Sequence, residues 1–229
     1  MTLRAQVLEA LGEVIDPELD EPITTLGFVS SCVVSTEGDV SVHLRLPTPQ
    51  CAPNFAYLMT DDARAAISSV PGVGAISVTL DDHYTGAEIN QAVARGGAFA
   101  DAFPGETRGD LTALRLLFRR KALVGRQARV CEELVRDHDD AAICALRVRE
   151  LPASPDVQRC LELRGELDLP HADDDPGLVA GDGSAIAPDQ LRMWLRKARL
   201  MSLSLESNAA ICRSLLAVRY PESPQEVAP

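Results

Sequence analysis

Val40-Ser41-Val42-His43-Leu44-Arg45-Leu46-Pro47-Thr48-Pro49-Gln50-Cys51-Ala52-Pro53 decides how this chain folds. In its first half Val40, Val42, Leu44 and Leu46 alternate with Ser41, His43 and Arg45, the pattern of a half-buried strand. The prolines then end strand pairing and fix a short loop, after which a helix is predicted from about Asn54 to Ser69. Pro71-Gly72 breaks that helix, and Val73 to Leu80 alternates again with Ile76, Val78 and Leu80 on one face. A strand, a helix and a second strand make a crossover unit, so the two strands run parallel with a right-handed connection. Upstream, Gly27 to Ser35 carries Phe28, Val29, Val33 and Val34 and reads as a strand. Glu37-Gly38-Asp39 turns it back into Val40. Before it, Leu3, Val7, Leu8, Leu11 and Val14 recur at helical spacing over residues 2 to 15. Asp16-Pro17-Glu18 stops that helix, because a residue before proline is pushed out of the α region. The fold class is therefore α+β, an N-terminal α-β-β-α-β domain with a small mixed sheet.

The chain has 229 residues, 46% hydrophobic and 24% charged, which is globular composition. Aromatics are 4%, so a core is built from aliphatic side chains. Against 34 acidic residues stand 22 Lys and Arg, a net charge of −12 that excludes nonspecific binding to a nucleic-acid backbone. No apolar run is long enough to span a membrane, and Met1 to Gln6 lacks an apolar leader stretch, so a soluble cytoplasmic protein is expected. Six cysteines are scattered without any Cys-x-x-Cys pair, which fits neither a disulfide scaffold nor a zinc or permanent Fe–S motif. All but Cys51 read as small buried hydrophobes.

The N-terminal domain is placed at residues 1–84, followed by a connection over 85–109 that includes a short helix. A mainly helical extension follows over 110–220, with a flexible tail at 221–229. Within the extension, Leu111 to Asp137 is a long helical stretch, and Ala142 to Val148 is either strand or helix. Ser154-Pro155-Asp156 starts a helix running to about Leu167. Gly181-Asp182-Gly183 marks a turn, and Pro188–Leu200 and Leu203–Val218 read as two separate helices.

Topology concentrates the chemistry. The two parallel strands end at one edge of the sheet, one leading to Cys51 and the other to Asp81-Asp82-His83. The antiparallel strand begins at that edge, just after Asp16-Pro17-Glu18. Three loops should converge where open sheets with helices hold ligands. Cys51, next to a helix N-terminus, is expected to have a lowered thiol pKa, as a nucleophile or metal ligand. Together with Asp81 and His83 it offers a thiolate, imidazole and carboxylate set suited to zinc or iron. Set against these readings, Asp16-Pro17-Glu18 can be a plain helix terminator and His83 a solvated strand end. His43 faces outward. Cys131, His138 and Cys144 match no metal spacing. The series Arg115, Arg119, Arg120, Lys121, Arg126 and Arg129 reads as a solvated helix face or a surface for an acidic partner.

Residues 3 to 80 resemble the small iron–sulfur cluster assembly domain of SufT/PaaD-like metal–sulfur cluster biosynthetic proteins. The resemblance rests on the first helix, Asp16-Pro17-Glu18, Ile23 with Leu26-Gly27, the valine-rich hairpin, Thr48-Pro49-Gln50-Cys51 and Pro71-Gly72-Val73. One departure stands out: Ala52 intervenes between Cys51 and Pro53, where the family has proline directly after the cysteine. The resemblance implies a non-enzymatic accessory factor in metalloenzyme maturation. Cys51 would be the reactive or metal-binding group, and Asp16, Glu18, Thr48 and Cys51 would line the binding site. The long extension, with Asp82-His83-Tyr84-Thr85-Gly86, is similar to maturation factors encoded beside bacterial di-iron monooxygenases. The client would then be the hydroxylase, with the extension gripping it and self-association into a homodimer left open. Two other readings stand beside this one. One is a cysteine-nucleophile enzyme of thiol transfer or hydrolysis, with His83 as base. The other is a metal-free interaction module.

Overall fold

The computed structural model describes residues 1–105 and 110–221, and the chain divides into two compact units. The first comprises Met1–Thr112 with Asn208–Pro229; the second is Ala113–Ser207. The architecture is α+β, as the sequence pattern predicts.

In the first unit, helix α1 (Leu3–Gly12) starts at Thr2, whose hydroxyl accepts the Ala5 N–H at 3.2 Å, and buries Val7 and Leu11. Between α1 and the main sheet lies a two-stranded ribbon, β1 (Ile15–Asp16) against β2 (Glu21–Pro22). The main sheet has the order β3 (Val29–Val34), β4 (Val40–Arg45), β5 (Ile76–Asp81). β3 and β4 are antiparallel, while β4 and β5 are parallel in the register Val40↔Ile76 to Arg45↔Asp81. Alternation sets that register: Val40, Val42, Leu44, Val78 and Leu80 are buried on the face covered by helix α2 (Pro53–Ser68). The β3–β4 turn rests on Gly38, at φ +90°, because a Cβ there would stand 2.6 Å from the Gly72 carbonyl oxygen.

The expected connection over 85–109 carries helices α3 (Gly86–Ala94) and α4 (Phe99–Ala102), which belong to the first unit. Residues 106–109 lie outside the described residues. α3 is fixed to the end of β5 by Asn90, whose side chain accepts the Leu80 N–H at 2.8 Å and donates to the Leu80 carbonyl at 3.1 Å.

The second unit is helical. α5 (Thr112–Leu134), α6 (Asp140–Ala145) and α7 (Pro155–Glu166) precede α8 (Pro188–Arg219), whose residues up to Ser207 belong here. Ala128, Cys131, Leu134, Ile143, Leu191 and Leu195 form its main apolar cluster. α8 is one continuous helix rather than the two expected, since no glycine or proline interrupts it between Leu200 and Leu203. The turn at Gly181–Gly183 closes an isolated bridge, Val179↔Ala185. Three members of the arginine series form ion pairs within this unit. Arg126 and Arg129 pair with Asp156 at 3.0 and 2.6 Å, and Arg119 with Glu166 at 2.6 Å. Of the expected tail at 221–229, all but Pro221 lies outside the described residues. Among the described residues no helix is long and apolar enough to cross a membrane.

Candidate functional site

The three loops meet at one edge of the first unit. The first is built by Asp16, whose Oδ1 accepts the N–H groups of Glu18 and Leu19 at 2.8 and 2.9 Å, closing the turn around Pro17. The second is Pro47 to Ala52, where the Cys51 N–H reaches the Thr48 carbonyl at 3.4 Å. The third follows β5 and is tied to the second twice: the Tyr84 N–H donates to the Pro49 carbonyl at 3.0 Å, and His83 Nε2 to the Cys51 carbonyl at 2.8 Å. Beside them lies a cleft of about 550 Å³ lined by Pro49, Leu80, His83, Tyr84, Asn90 and Arg219.

His83 has a positioning part in this arrangement. With Nε2 on the Cys51 carbonyl, its Nδ1 takes the N–H and hydroxyl of Thr85, both at 3.2 Å. Neither ring nitrogen is left for a metal ion or for the thiol, so the base required by a cysteine-nucleophile enzyme is engaged elsewhere. Asp81, expected beside His83, instead faces His43 Nδ1 at 3.0 and 3.1 Å across the parallel strand pair. Among the described residues no three Cys, His, Asp or Glu side chains are grouped to hold a metal ion.

Cys51 is half-buried, and its thiol is pushed up to about 12, opposite to the lowering expected from a helix N-terminus. Burial is the largest cause, followed by the charges of Asp16, Cys212 and Glu18. The helix contributes only the Ala52 N–H, because Ala52 is the N-cap and Cys51 stands one residue outside it. Pro53 takes the first helical position, which sets Cys51 outside the cap. A pKa near 12 removes about a thousandfold of thiolate at pH 8 relative to an ordinary cysteine. The greater nucleophilicity of a basic thiolate restores about thirtyfold of that. Alkylation of Cys51 by iodoacetamide is therefore expected to run roughly thirtyfold slower than that of a free thiol at pH 8. It should still be climbing above pH 10. Mass-spectrometric rate measurement checks this, and a plateau below pH 8 would contradict it.

Asp16 is buried, and desolvation lifts its carboxyl to about 6 from 3.8, outweighing the two backbone hydrogen bonds that oppose it. Between those values the folded chain keeps a proton that the unfolded chain releases, so stability falls as pH rises through this window. By pH 8 the buried charge costs about 3 kcal/mol. Asp16→Asn keeps the oxygen that accepts from Glu18 and Leu19. It is expected to stabilise the chain by about 2 to 3 kcal/mol at pH 8 and by almost nothing near pH 3.5. Urea unfolding at the two pH values tests this; equal gains at both would refute the cause assigned.

Sequence reasoning missed the C-terminal contribution. Cys212 is half-buried and is acted on by the same two carboxylates as Cys51. Arg213 pairs with Glu21 at 2.6 Å. Arg219 donates to the carbonyls of Leu46 at 3.1 Å and Asp82 at 2.6 Å, and the Tyr220 hydroxyl to Asp82 Oδ2 at 3.0 Å. The available signal was helical spacing: Cys212, Leu216 and Arg219 stand at i, i+4 and i+7, on one face.

Comparison with known proteins gives one family: residues 4–78 match the iron–sulfur cluster assembly protein family. An iron–sulfur cluster carrier protein of Mycobacterium tuberculosis is 40% identical over 79 residues, 34% of this chain and 20% of that protein. An Fe–S cluster assembly factor of Arabidopsis chloroplasts is 31% identical over 80 residues, 34% of this chain and 15% of its own. An uncharacterized protein of Methanocaldococcus jannaschii is 32% identical over 91 residues, 40% of this chain and 94% of its own length. The chain thus spans about a fifth of the length of the carrier proteins it matches. No solved structure matches the chain.

Proposed function

The chain belongs to the iron–sulfur cluster assembly protein family through residues 4–78, and from that premise we propose that it is a maturation factor that holds iron or an iron–sulfur fragment transiently at Cys51 and passes it to a client metalloenzyme. The observation that carries this reading is the placement of Cys51. It is a half-buried thiol at the meeting of three loops, inside the matched segment, with Asp16 and Glu18 close enough to act on it.

Chemically, a thiol with a pKa near 12 is a poor free nucleophile but a workable metal ligand. A cation displaces its proton and cancels the repulsion from the two carboxylates, so binding is coupled to proton release. Few donors from the chain leave the cargo positions for a client's own ligands. His83 would act by holding the Cys51 backbone, and Thr48 and Glu18 by shaping the loops around it.

The helical second unit lies outside the matched residues, and we assign it to client recognition. The hydroxylase of a di-iron monooxygenase is the client to test first. Coexpression of that hydroxylase with and without this chain tests the reading. Iron content and activity of the purified client are expected to rise at least tenfold with the chain present; no change would refute this choice of client.

A further inference from the structure

We propose that Cys212, from the C-terminal end of α8, is the second thiol of the Cys51 site, so that the cargo is held between two thiols of one chain. This deepens the function proposed above and rests on it.

The argument is geometric. Asn208 onward belongs to the first unit, and the face of α8 turned to that unit is defined by its contacts. Leu216 packs over Gly27, its Cδ2 3.3 Å from where a Cβ on that glycine would stand. Arg219, three residues on, reaches the Leu46 carbonyl, where β4 gives way to the Cys51 loop, and the Asp82 carbonyl in the third loop. Tyr220 adds its hydrogen bond to Asp82 and lies under the guanidinium of Arg45, 4.8 Å from the ring centroid. Cys212 precedes Leu216 by one helical turn on the same face. Its neighbour Arg213 is anchored to Glu21, in the strand paired with the one that carries Asp16. The helix thus runs along the converging edge with Cys212 at its Asp16 end. Electrostatics agree: Cys51 responds to Cys212, and both respond to Asp16 and Glu18.

Two thiols, with the charges of Asp16 and Glu18 acting on both, suit a thiophilic cation such as ferrous iron. Two thiolates fill half of a tetrahedral set, and the other positions fall to a client's ligands or a small-molecule thiol. Such a site can load and unload by ligand exchange, whereas four chain ligands would retain the cargo.

Two measurements on the full-length chain test the proposal. Dibromobimane fluoresces once both its bromomethyl groups have alkylated thiols. Wild type should give a bridged Cys51–Cys212 peptide by mass spectrometry, and Cys51→Ser and Cys212→Ser should give none. In anaerobic cobalt(II) titration, Cys212→Ser should lose about half the near-ultraviolet thiolate-to-cobalt absorption and bind at least tenfold more weakly. Thermal melts by circular dichroism establish that the variants fold. A Cys212→Ser chain that binds cobalt like wild type, or a wild-type chain without the bridged peptide, would overturn the second thiol while leaving Cys51 in its role. Cobalt binding that survives Cys51→Ser would instead overturn the function on which it rests.

Discussion

A chain carrying Cys51→Ala is expected to fold as wild type does and to leave its client without metal. The thiol is half-buried and the loop around it is held by backbone and His83 contacts rather than by its sulfur, so the stability cost should stay within about 1 kcal/mol. Function is a different matter, because no other thiol of the three converging loops can replace it. In coexpression, client iron content should fall at least tenfold, to the level seen without the factor. Cys51→Ser should do no better, since a hydroxyl at this position does not become an anionic ligand at neutral pH. His83→Ala should reduce maturation only severalfold, because it removes the clamp on the Cys51 carbonyl and not the donor. A Cys51→Ala chain that matured its client fully would remove the thiol from the mechanism.

Arg164→Met is expected to have the largest effect on stability. Its guanidinium is buried in the second unit and donates to the carbonyls of Pro170, Pro176 and Gly177 and to Gln127 Oε1, at 2.7 to 3.3 Å. Gln127 in turn exchanges hydrogen bonds with the backbone of Val179, at 2.9 Å each way. One side chain therefore satisfies three backbone carbonyls of the segment from Pro170 to Gly177, which has little regular structure of its own. Methionine fills the volume and supplies no donor, leaving these acceptors dry and unpaired. The expected loss is about 3 to 5 kcal/mol, read from urea unfolding followed by helical circular dichroism. Arg164→Lys should recover only part of it, because one ammonium cannot span acceptors placed for a planar fork. A loss below about 1 kcal/mol would contradict the role given to this arginine.

The N-terminal fold was legible because its register is dictated locally. Val40, Val42 and Leu44 alternate strictly, so a slip of one residue would expose all of them. The parallel crossover then follows from chain order, and convergence of the Asp16, Cys51 and His83 loops from the crossover. The thiol pKa was not legible, because it depends on whether helix dipole or burial dominates. Placing Cys51 one residue beyond the Ala52 cap weakened the former, and Asp16 and Glu18 reinforced the latter. Partner choice was equally hidden. Alternation puts Asp81 and His83 on one side of the strand end, but it does not say that Asp81 will turn to His43 and His83 to a carbonyl. The arrival of Cys212 and Arg219 at this edge rests on packing between elements far apart in sequence, which no local pattern encodes.

The most direct test of the central claim is anaerobic reconstitution of the full-length chain with ferrous iron and sulfide, followed by gel filtration and assay of iron and sulfide per chain. Wild type is predicted to retain iron, to release it to an apo iron–sulfur acceptor, and to lose that capacity with Cys51→Ala. Equal iron on both chains, or none on wild type, would contradict the assignment of Cys51 as the carrier thiol.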